Sequence, residues 1–234
     1  MLGVHPRLWF YRYVRGGKHS LLALSLPPHF KELCHRARPW MNIFEVKALY
    51  DLAKKNVGLG VIVEVGSALG GSACLLSHAS KEINGEKTYC IDPWQESYWS
   101  KEIEDIWNKH VQISFGAQAE SIGSPHQKFL ANVKENGVPA LVEAIRGESQ
   151  VVAKNWGKPI KLLFIDGSHD YADVVTDIKS WEPYVVTNGI LVFHDYSAKH
   201  IGVTQAVNDL ILRSKKFSKI KAVDSLVAFK KPAP

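Results

Sequence analysis

Five short segments of the chain carry polar or glycine residues, and each directly follows a short apolar run. If the runs are parallel strands, the segments meet at the carboxyl edge of one sheet, where α/β proteins bind their ligands. One such segment is weak evidence, because loops are polar in general, but five together predict a ligand-binding edge. The segments are residues 64–72, 92–94, 146–150, 166–171 and 194–196.

The first segment, Glu-Val-Gly-Ser-Ala-Leu-Gly-Gly-Ser, predicts a tight strand-to-helix turn. Gly66 would let a ligand approach the backbone, so we expect a branched side chain there to block binding without unfolding the protein. Ser72 begins the predicted helix, whose free N–H groups favour anions. Ala68 replaces the second glycine of a dinucleotide-binding loop, and Glu64 would repel a pyrophosphate but suit an ammonium group. The alternative to a ligand-binding loop is a turn that needs glycine only for its backbone geometry.

Asp92 ends the second apolar run, where a carboxylate could accept two hydrogen bonds from a ribose diol. The chain resembles the class I S-adenosylmethionine-dependent methyltransferases in three features: this aspartate, the loop at residues 64–72 and the Gly-Glu-Ser-Gln turn at 147–150. The nearest subgroup is the small O-methyltransferases related to catechol O-methyltransferase and to macrolide and cephalosporin tailoring enzymes, over roughly residues 40–230. The resemblance implies a Rossmann-like methyltransferase fold, S-adenosylmethionine as cofactor and a small hydroxylated acceptor. The residues implied to bind the cofactor are Glu64, Gly66, Ser67 and Ser72 at its methionine end, Asp92 at its ribose, Gly147, Ser149 and Gln150 at its adenine, and Asp166.

The resemblance also implies a reaction centre at the fourth and fifth strand ends. In metal-dependent members an Asp after strand four and an adjacent pair after strand five hold Mg²⁺; the matching residues are Asp166, His194 and Asp195. Mg²⁺ prefers oxygen ligands, so His194 argues for a softer divalent cation or for none. The alternative is a hydrogen-bonded pair that shapes the pocket.

His169 occupies the offset from Asp166 at which catechol-type enzymes carry a catalytic lysine. Histidine is a suitable general base for a hydroxyl group, so His169 and Asp166 are the candidate catalytic residues. The alternative is that His169 caps the following helix or packs on Tyr171.

Alternating apolar and amphipathic segments predict the elements that position these residues. They favour a doubly wound, mostly parallel α/β sheet with helices on both faces and a C-terminal antiparallel hairpin strand. Asn188-Gly189 predicts a turn before the fifth strand. The predicted strands are residues 61–65, 87–91, 141–145, 161–165, 190–193, 220–223 and 226–229, and the predicted helices are 72–80, 174–181 and 203–211.

Two regions depart from this alternation. Residues 1–60 predict an N-terminal helical extension or lid, with an aromatic and basic stretch at 8–13, and residues 61–234 predict the S-adenosylmethionine-binding catalytic domain. Residues 93–140 predict a long connection that also helps to select the acceptor. It contains a helix around residues 99–111, a loop at 116–125 and a short helix through Phe129, Leu130 and Val133 that stops at Asn136-Gly137.

Composition excludes several classes of protein. The chain is 46% hydrophobic and 22% charged, which is typical of a globular protein and not of a disordered one. It has no run of about 18 apolar residues that could form a transmembrane segment, and residues 21–26 are too short for a secretory signal. The three cysteines form no Cys-x-x-Cys pair, which indicates a reducing, cytoplasmic location.

The net charge of +6 is concentrated in residues 1–60, where ten Lys and Arg against three Asp and Glu give +7 and leave −1 for the rest. A nucleic-acid partner is therefore not expected; a solvated basic face and an anionic partner both remain open. The resemblance implies a homo-oligomer. The alternative functions are an NAD(P)-dependent oxidoreductase, a non-catalytic cofactor-binding module and a nucleic-acid methyltransferase.

Overall fold

The computed structural model of the protein describes residues 26–55, 60–95 and 123–233. Their strands form a seven-stranded sheet in the order β3-β2-β1-β4-β5-β7-β6. Strands β1 to β5 are parallel, whereas β7 is antiparallel to both β5 and β6, so the predicted fold class and its C-terminal hairpin are confirmed. The strands are β1 (Val61–Val65), β2 (Thr88–Asp92), β3 (Val142–Arg146), β4 (Ile160–Ile165), β5 (Val185–Phe193), β6 (Ser218–Val223) and β7 (Leu226–Lys230).

Helices cover both faces of the sheet. None in the described segments is both long and apolar enough to cross a membrane. The helices are α1 (Pro28–Ala37), α2 (Ile43–Lys55), α3 (Gly71–Lys81), α4 (Pro125–Glu135), α5 (Ser149–Lys154), α6 (Tyr171–Trp181) and α7 (Ile201–Val207), with short 3₁₀ turns at Pro139–Leu141 and Glu182–Tyr184 and a π-helical turn at Asn208–Leu212.

Two hydrophobic cores lie on opposite faces of the sheet, because successive side chains of a strand point to opposite faces. Helices α1 to α4 pack on one face, against residues such as Ile62, Leu162 and Phe164. Helices α5 to α7 pack on the other face, against residues such as Leu163 and Phe193. The described part of the predicted N-terminal extension thus contributes α1 and α2 to the first core, and the domain boundary at residue 60 stays a prediction.

One detail of the predicted elements is wrong. Asn188-Gly189 lies inside β5, where extra residues interrupt the pairing with β4 and Asn188 has a φ of 64°, instead of forming a turn before the strand. The predicted short helix through Phe129, Leu130 and Val133 is confirmed as α4, in which Phe129 and Val133 are buried and Leu130 is 44% exposed. The predicted segments at residues 8–13 and 99–111 lie outside the described residues.

The strand order changes direction between β1 and β4, and the loops after these two neighbouring strands meet there. Asp166 N donates a hydrogen bond to Val65 O at 2.9 Å. Gly66 has a φ of +86°, and a Cβ added to it would lie 2.6 Å from the carbonyl carbon of Asp166 and from the Cα of Gly167. The expectation that a side chain at Gly66 would leave the fold intact is therefore wrong, because the protein's own loop fills the space.

We expect Gly66→Ala to lower the free energy of unfolding by roughly 3 kcal/mol or more, since a left-handed backbone costs an L-residue about 1–2 kcal/mol and the loop after β4 must also move. Gly137→Ala is the matched control, because Gly137 has a φ of +71° but nothing within 4 Å of an added Cβ. Urea unfolding of both variants measures the difference. Equal losses in the two variants would contradict the close approach at Gly66.

Candidate active site

Glu64, the fourth residue of β1, is completely buried at the carboxyl end of the strand. Neither of its carboxylate oxygens has a hydrogen-bond partner among the described residues, and the same is true of the hydroxyl oxygen of Ser67. Burial raises the pKa of Glu64 to about 7, and the nearby hydroxyls of Ser72 and Ser67 offset only part of this shift. Since an unpaired buried carboxylate is costly, the site lacks a hydrogen-bond donor that a cationic ligand would supply.

Asp92, at the end of β2, fixes the shape of the loop after β1. Its Oδ2 accepts a hydrogen bond from Ala68 N at 2.9 Å, and its Oδ1 accepts one from Trp94 N at 2.6 Å. Burial raises the pKa of Asp92, and these backbone amides counteract part of the rise. Both oxygens are therefore engaged by the chain itself, although each keeps a further lone pair for a ligand.

Trp94 is a buried residue of this site that the sequence analysis did not assign a role. Its indole Nε1 donates a hydrogen bond to Ala68 O at 2.8 Å. Its ring centroid lies 4.6 Å from that of His126 and 4.8 Å from that of Phe129. Trp94 thus connects the loop after β1 to α4, a contact across the chain that no local pattern in the sequence indicates.

The turn after β3 carries the three predicted adenine contacts. Gly147 N donates to Asp92 O at 3.1 Å, which places this turn beside the end of β2. The Gln150 side chain donates to Glu148 at 3.0 Å. The Ser149 hydroxyl accepts a hydrogen bond from Trp181 Nε1 at 2.7 Å and therefore faces α6.

The ends of β4 and β5 bring together the other predicted site residues. His194 Nδ1 lies 3.0 Å from Asp166 Oδ1 and 3.2 Å from Asp195 Oδ2, so this nitrogen bridges the two carboxylates. Its Nε2 lies 3.5 Å from Glu45 Oε2. Burial opposes protonation of His194, but the three carboxylates outweigh it and raise its pKa well above the usual value.

Glu45 is a second residue that the sequence analysis missed. It lies in the first turn of α2, where Asn42 N donates to its Oε2 at 3.0 Å, an ordinary helix-capping contact. Its other oxygen, Oε1, accepts hydrogen bonds from Ser225 N at 2.8 Å and from the Ser225 hydroxyl at 2.6 Å. Glu45 therefore connects the N-terminal helices, the β6–β7 turn and His194.

His169 lies at the rim of this cluster and is 45% exposed. Its Nε2 lies 2.8 Å from Asp195 Oδ2, and this hydrogen bond is the largest cause of the raised pKa of His169. Burial favours a higher pKa for Asp195, but the imidazoles of His169 and His194 lower it well below the usual value. A pocket beside the cluster is lined by Ile165, Asp166, Gly167, Ser168, His169, Val174, Phe193, His194 and Val203.

The predicted metal ligands Asp166, His194 and Asp195 do come together, with ligand atoms within 4.8 Å of one another. Distance therefore does not exclude a shared ion. However, both ring nitrogens of His194 face carboxylates, and one of them bridges the two acids that would hold the ion. This donor set does not fit Mg²⁺, which prefers oxygen ligands around an octahedron, and metal dependence at these residues stays a prediction.

Several solved structures share this architecture. The O-methyltransferase NovP is 14% identical over 86% of this chain and 88% of its own, with a TM-score of 0.64. The Bacillus cereus O-methyltransferase in complex with SAH is 15% identical over 95% and 100%, with a TM-score of 0.61. TomG, an O-methyltransferase from Streptomyces achromogenes in complex with SAM, is 14% identical over 100% of both chains, with a TM-score of 0.60. At these identities the likeness shows a common fold.

The family itself follows from the sequence match. Residues 63–196, more than half of the chain, match a family described as a methyltransferase domain. The matched range begins within β1 and ends just after β5, so it contains Glu64, Asp92, Asp166 and the His194-Asp195 pair. The methyltransferase resemblance found in the sequence is confirmed, and the chain belongs to this methyltransferase-domain family.

Proposed function

We propose that this methyltransferase transfers a methyl group from S-adenosylmethionine to a hydroxyl oxygen of a small molecule. The observation that carries the proposal is the buried carboxylate of Glu64, whose oxygens have no partner among the described residues. An ammonium group would supply the missing donors, and a dinucleotide pyrophosphate would be repelled. Two of the similar structures are complexes with SAH or SAM, which supports the same cofactor.

In this proposal the cofactor is held by the ends of the first three strands. Glu64, Ser67 and Ser72, with the turn at Gly66, bind its methionine end, and Asp92 binds its ribose through the lone pairs left over from the backbone amides. Gly147, Ser149 and Gln150 border the adenine. Ser149 is the least supported of these contacts, because its hydroxyl already accepts from Trp181.

The second half of the proposed site binds the acceptor and removes its proton. S-adenosylmethionine supplies a methyl group bound to a positively charged sulfur, so the protein's task is to align the acceptor and remove its proton. The Nε2–H of His169 donates a hydrogen bond to Asp195 Oδ2 at 2.8 Å, which orients the ring. The other ring nitrogen, Nδ1, accepts the acceptor's proton, and Asp195 stabilises the charged imidazole that results. Asp166 borders the acceptor pocket and is held in place by His194.

The remaining expectations belong to the same proposal. The acceptor is a small hydroxylated molecule and not a nucleic acid, the protein is cytoplasmic, and it forms a homo-oligomer. A shared divalent cation at Asp166, His194 and Asp195 is the alternative way to activate the acceptor hydroxyl. Chelator treatment distinguishes this metal route from proton removal by His169, since only the metal route needs the cation.

Calorimetry should show S-adenosylhomocysteine binding in the micromolar range, about −8 kcal/mol, and no binding of NADH. Glu64→Gln should weaken binding by about 1.5–3 kcal/mol, because it removes a charged hydrogen-bond partner. The control is Glu143→Gln, since the Glu143 side chain is 45% exposed and pairs only with Lys87 in the described part of the chain. NADH binding without S-adenosylhomocysteine binding would refute the proposal.

Without ligand, Glu64→Gln should make the protein more stable than wild type at pH 8 and close to it at pH 4.5. The raised pKa means that the folded protein keeps a proton on Glu64 that the unfolded chain releases, so wild-type stability falls as pH rises from 4.5 to about 7. The shift corresponds to roughly 3 kcal/mol. Urea unfolding across this pH range measures it, and parallel curves for the two proteins would show that Glu64 carries no unpaired charge.

His169→Gln should lower turnover by about 10²–10⁴-fold, the range for loss of a general base, and leave S-adenosylhomocysteine affinity unchanged. Transfer of labelled methyl groups to an acceptor, found by screening phenols and hydroxylated sugars, gives the rate. His29→Gln, at an exposed position of α1, is the matched control. Full turnover in His169→Gln would exclude His169 as the base.

A further inference from the structure

Three side chains from the loop after β4 and the β5–α7 connection converge at the rim of the reaction cluster, and only Asp195 among them belongs to the set predicted to bind a metal. His169 Nε2 lies 2.8 Å from Asp195 Oδ2, and His200 Nε2 lies 3.4 Å from Asp195 Oδ1. The rings of His169 and His200 have centroids 4.2 Å apart. One ligand atom from each residue lies within 4.8 Å of the other two.

This arrangement is held by the backbone. His200 precedes α7, and its N donates to Ser197 O at 3.2 Å, while the Thr204 hydroxyl donates to the same oxygen at 2.9 Å. The first turn of α7 lies directly against the loop that carries His169, since a Cβ added to Gly202 would be 2.7 Å from Tyr171 N. The backbones that carry His169 and His200 are therefore held close together, which is one requirement of a preorganised ligand site.

The donor set fits a borderline transition-metal ion. Bonds of about 2.0–2.2 Å to imidazole nitrogen and carboxylate oxygen put neighbouring ligand atoms of a tetrahedral ion about 3.3 Å apart, close to the two distances from Asp195. Two imidazoles and one carboxylate suit Zn²⁺ or Co²⁺, whereas Mg²⁺ prefers oxygen ligands.

We propose that His169, Asp195 and His200 form a binding site for a divalent transition-metal ion such as Zn²⁺, and that the bound ion inhibits methyl transfer. The inhibition rests on the proposed function. A neutral imidazole has a single lone pair, so an ion bound at Nε2 of His169 leaves the ring's proton on Nδ1, which can then no longer accept the acceptor's proton. Metal binding itself does not depend on that function. The site is thus a metal-dependent switch on the proposed general base.

The binding test uses the full chain without cofactor or acceptor, at one fixed pH. Calorimetry should show one Zn²⁺ bound per chain, and Co²⁺ should give the visible absorption of a nitrogen- and oxygen-ligated ion, whereas Mg²⁺ should not compete. His200→Gln and His169→Gln should each weaken Zn²⁺ binding by at least about tenfold, the lower end of the cost of losing even an outer-shell partner. His29→Gln, which removes an exposed histidine of α1 instead, should bind Zn²⁺ as the wild type does.

Asp166→Asn separates this site from the predicted one. It should keep its Zn²⁺ affinity, because Asp166 is not among the three proposed ligands. Loss of binding in Asp166→Asn with retention in His200→Gln would overturn the proposal and place the ion at the predicted set, and absence of Zn²⁺ binding in wild type would overturn it outright. Thermal melts identify a variant that fails to fold, and the two histidine variants provide independent tests.

The activity test addresses the inhibition alone. Zn²⁺ should reduce wild-type turnover over the concentration range in which it binds, and the turnover of His200→Gln should be insensitive to Zn²⁺ over that range. Zn²⁺ binding without inhibition would overturn the switch while leaving the site intact. Lack of turnover in metal-free wild type with any tested acceptor, together with normal Zn²⁺ binding, would count against the proposed function and not against the site.

Discussion

The backbones that follow β1 and β4 lie against each other at Gly66 and Asp166, and the arrangement of the site depends on this contact. Glu64 lies two residues before the contact, and Asp166 is part of it. The distance between Glu64 and the cluster around His194 is therefore set by packed backbone and not by flexible side chains. A reaction between two bound molecules needs such fixed spacing, because a small misplacement of the reacting groups is costly in rate.

The acids at the strand ends are all at least partly buried, but their charges are stabilised differently. Asp92 is satisfied by backbone amides, and Asp166 lies against the imidazole of His194. Glu64 has neither kind of partner, and its pKa rises accordingly. Because folding would be easier with an apolar residue at this position, the unpaired carboxylate indicates a site whose partner comes from outside the chain.

The sequence was sufficient for the fold and for most of the strand-end residues, because both follow from local patterns. Apolar runs give strands, and polar residues after parallel strands meet at one edge. Glu45 and Trp94 were not predictable in this way. The spacing of Asn42 and Glu45 indicates only a helix cap, and the contacts of Glu45 with Ser225 and His194 join parts of the chain that are distant in sequence.

The direction of a side chain was equally hard to predict. Ser149 is in the expected turn, yet its hydroxyl faces Trp181 of α6. Asn188-Gly189 has the composition of a turn, but backbone hydrogen bonds with Lys231, directly after β7, keep it within β5. In both cases the deciding contact comes from an element elsewhere in the sequence, so a single-sequence pattern can place the residue on its element but cannot fix what it touches.

Asp195 contacts three imidazoles, so its two oxygens influence the protonation and the metal binding of the histidines around it. Its Oδ2 is shared by His169 and His194, while Oδ1 faces His200. Its φ of 57° is rare for a residue with a side chain but tolerated by Asp, and the turn it makes directs the chain away from β5 toward α7. A proton taken up by His169 and a metal ion bound between His169 and His200 would each need the single lone pair of the neutral His169 ring, and both would be stabilised by Asp195. Since one lone pair cannot serve both, any ion bound at this rim and any proton transfer through His169 exclude each other.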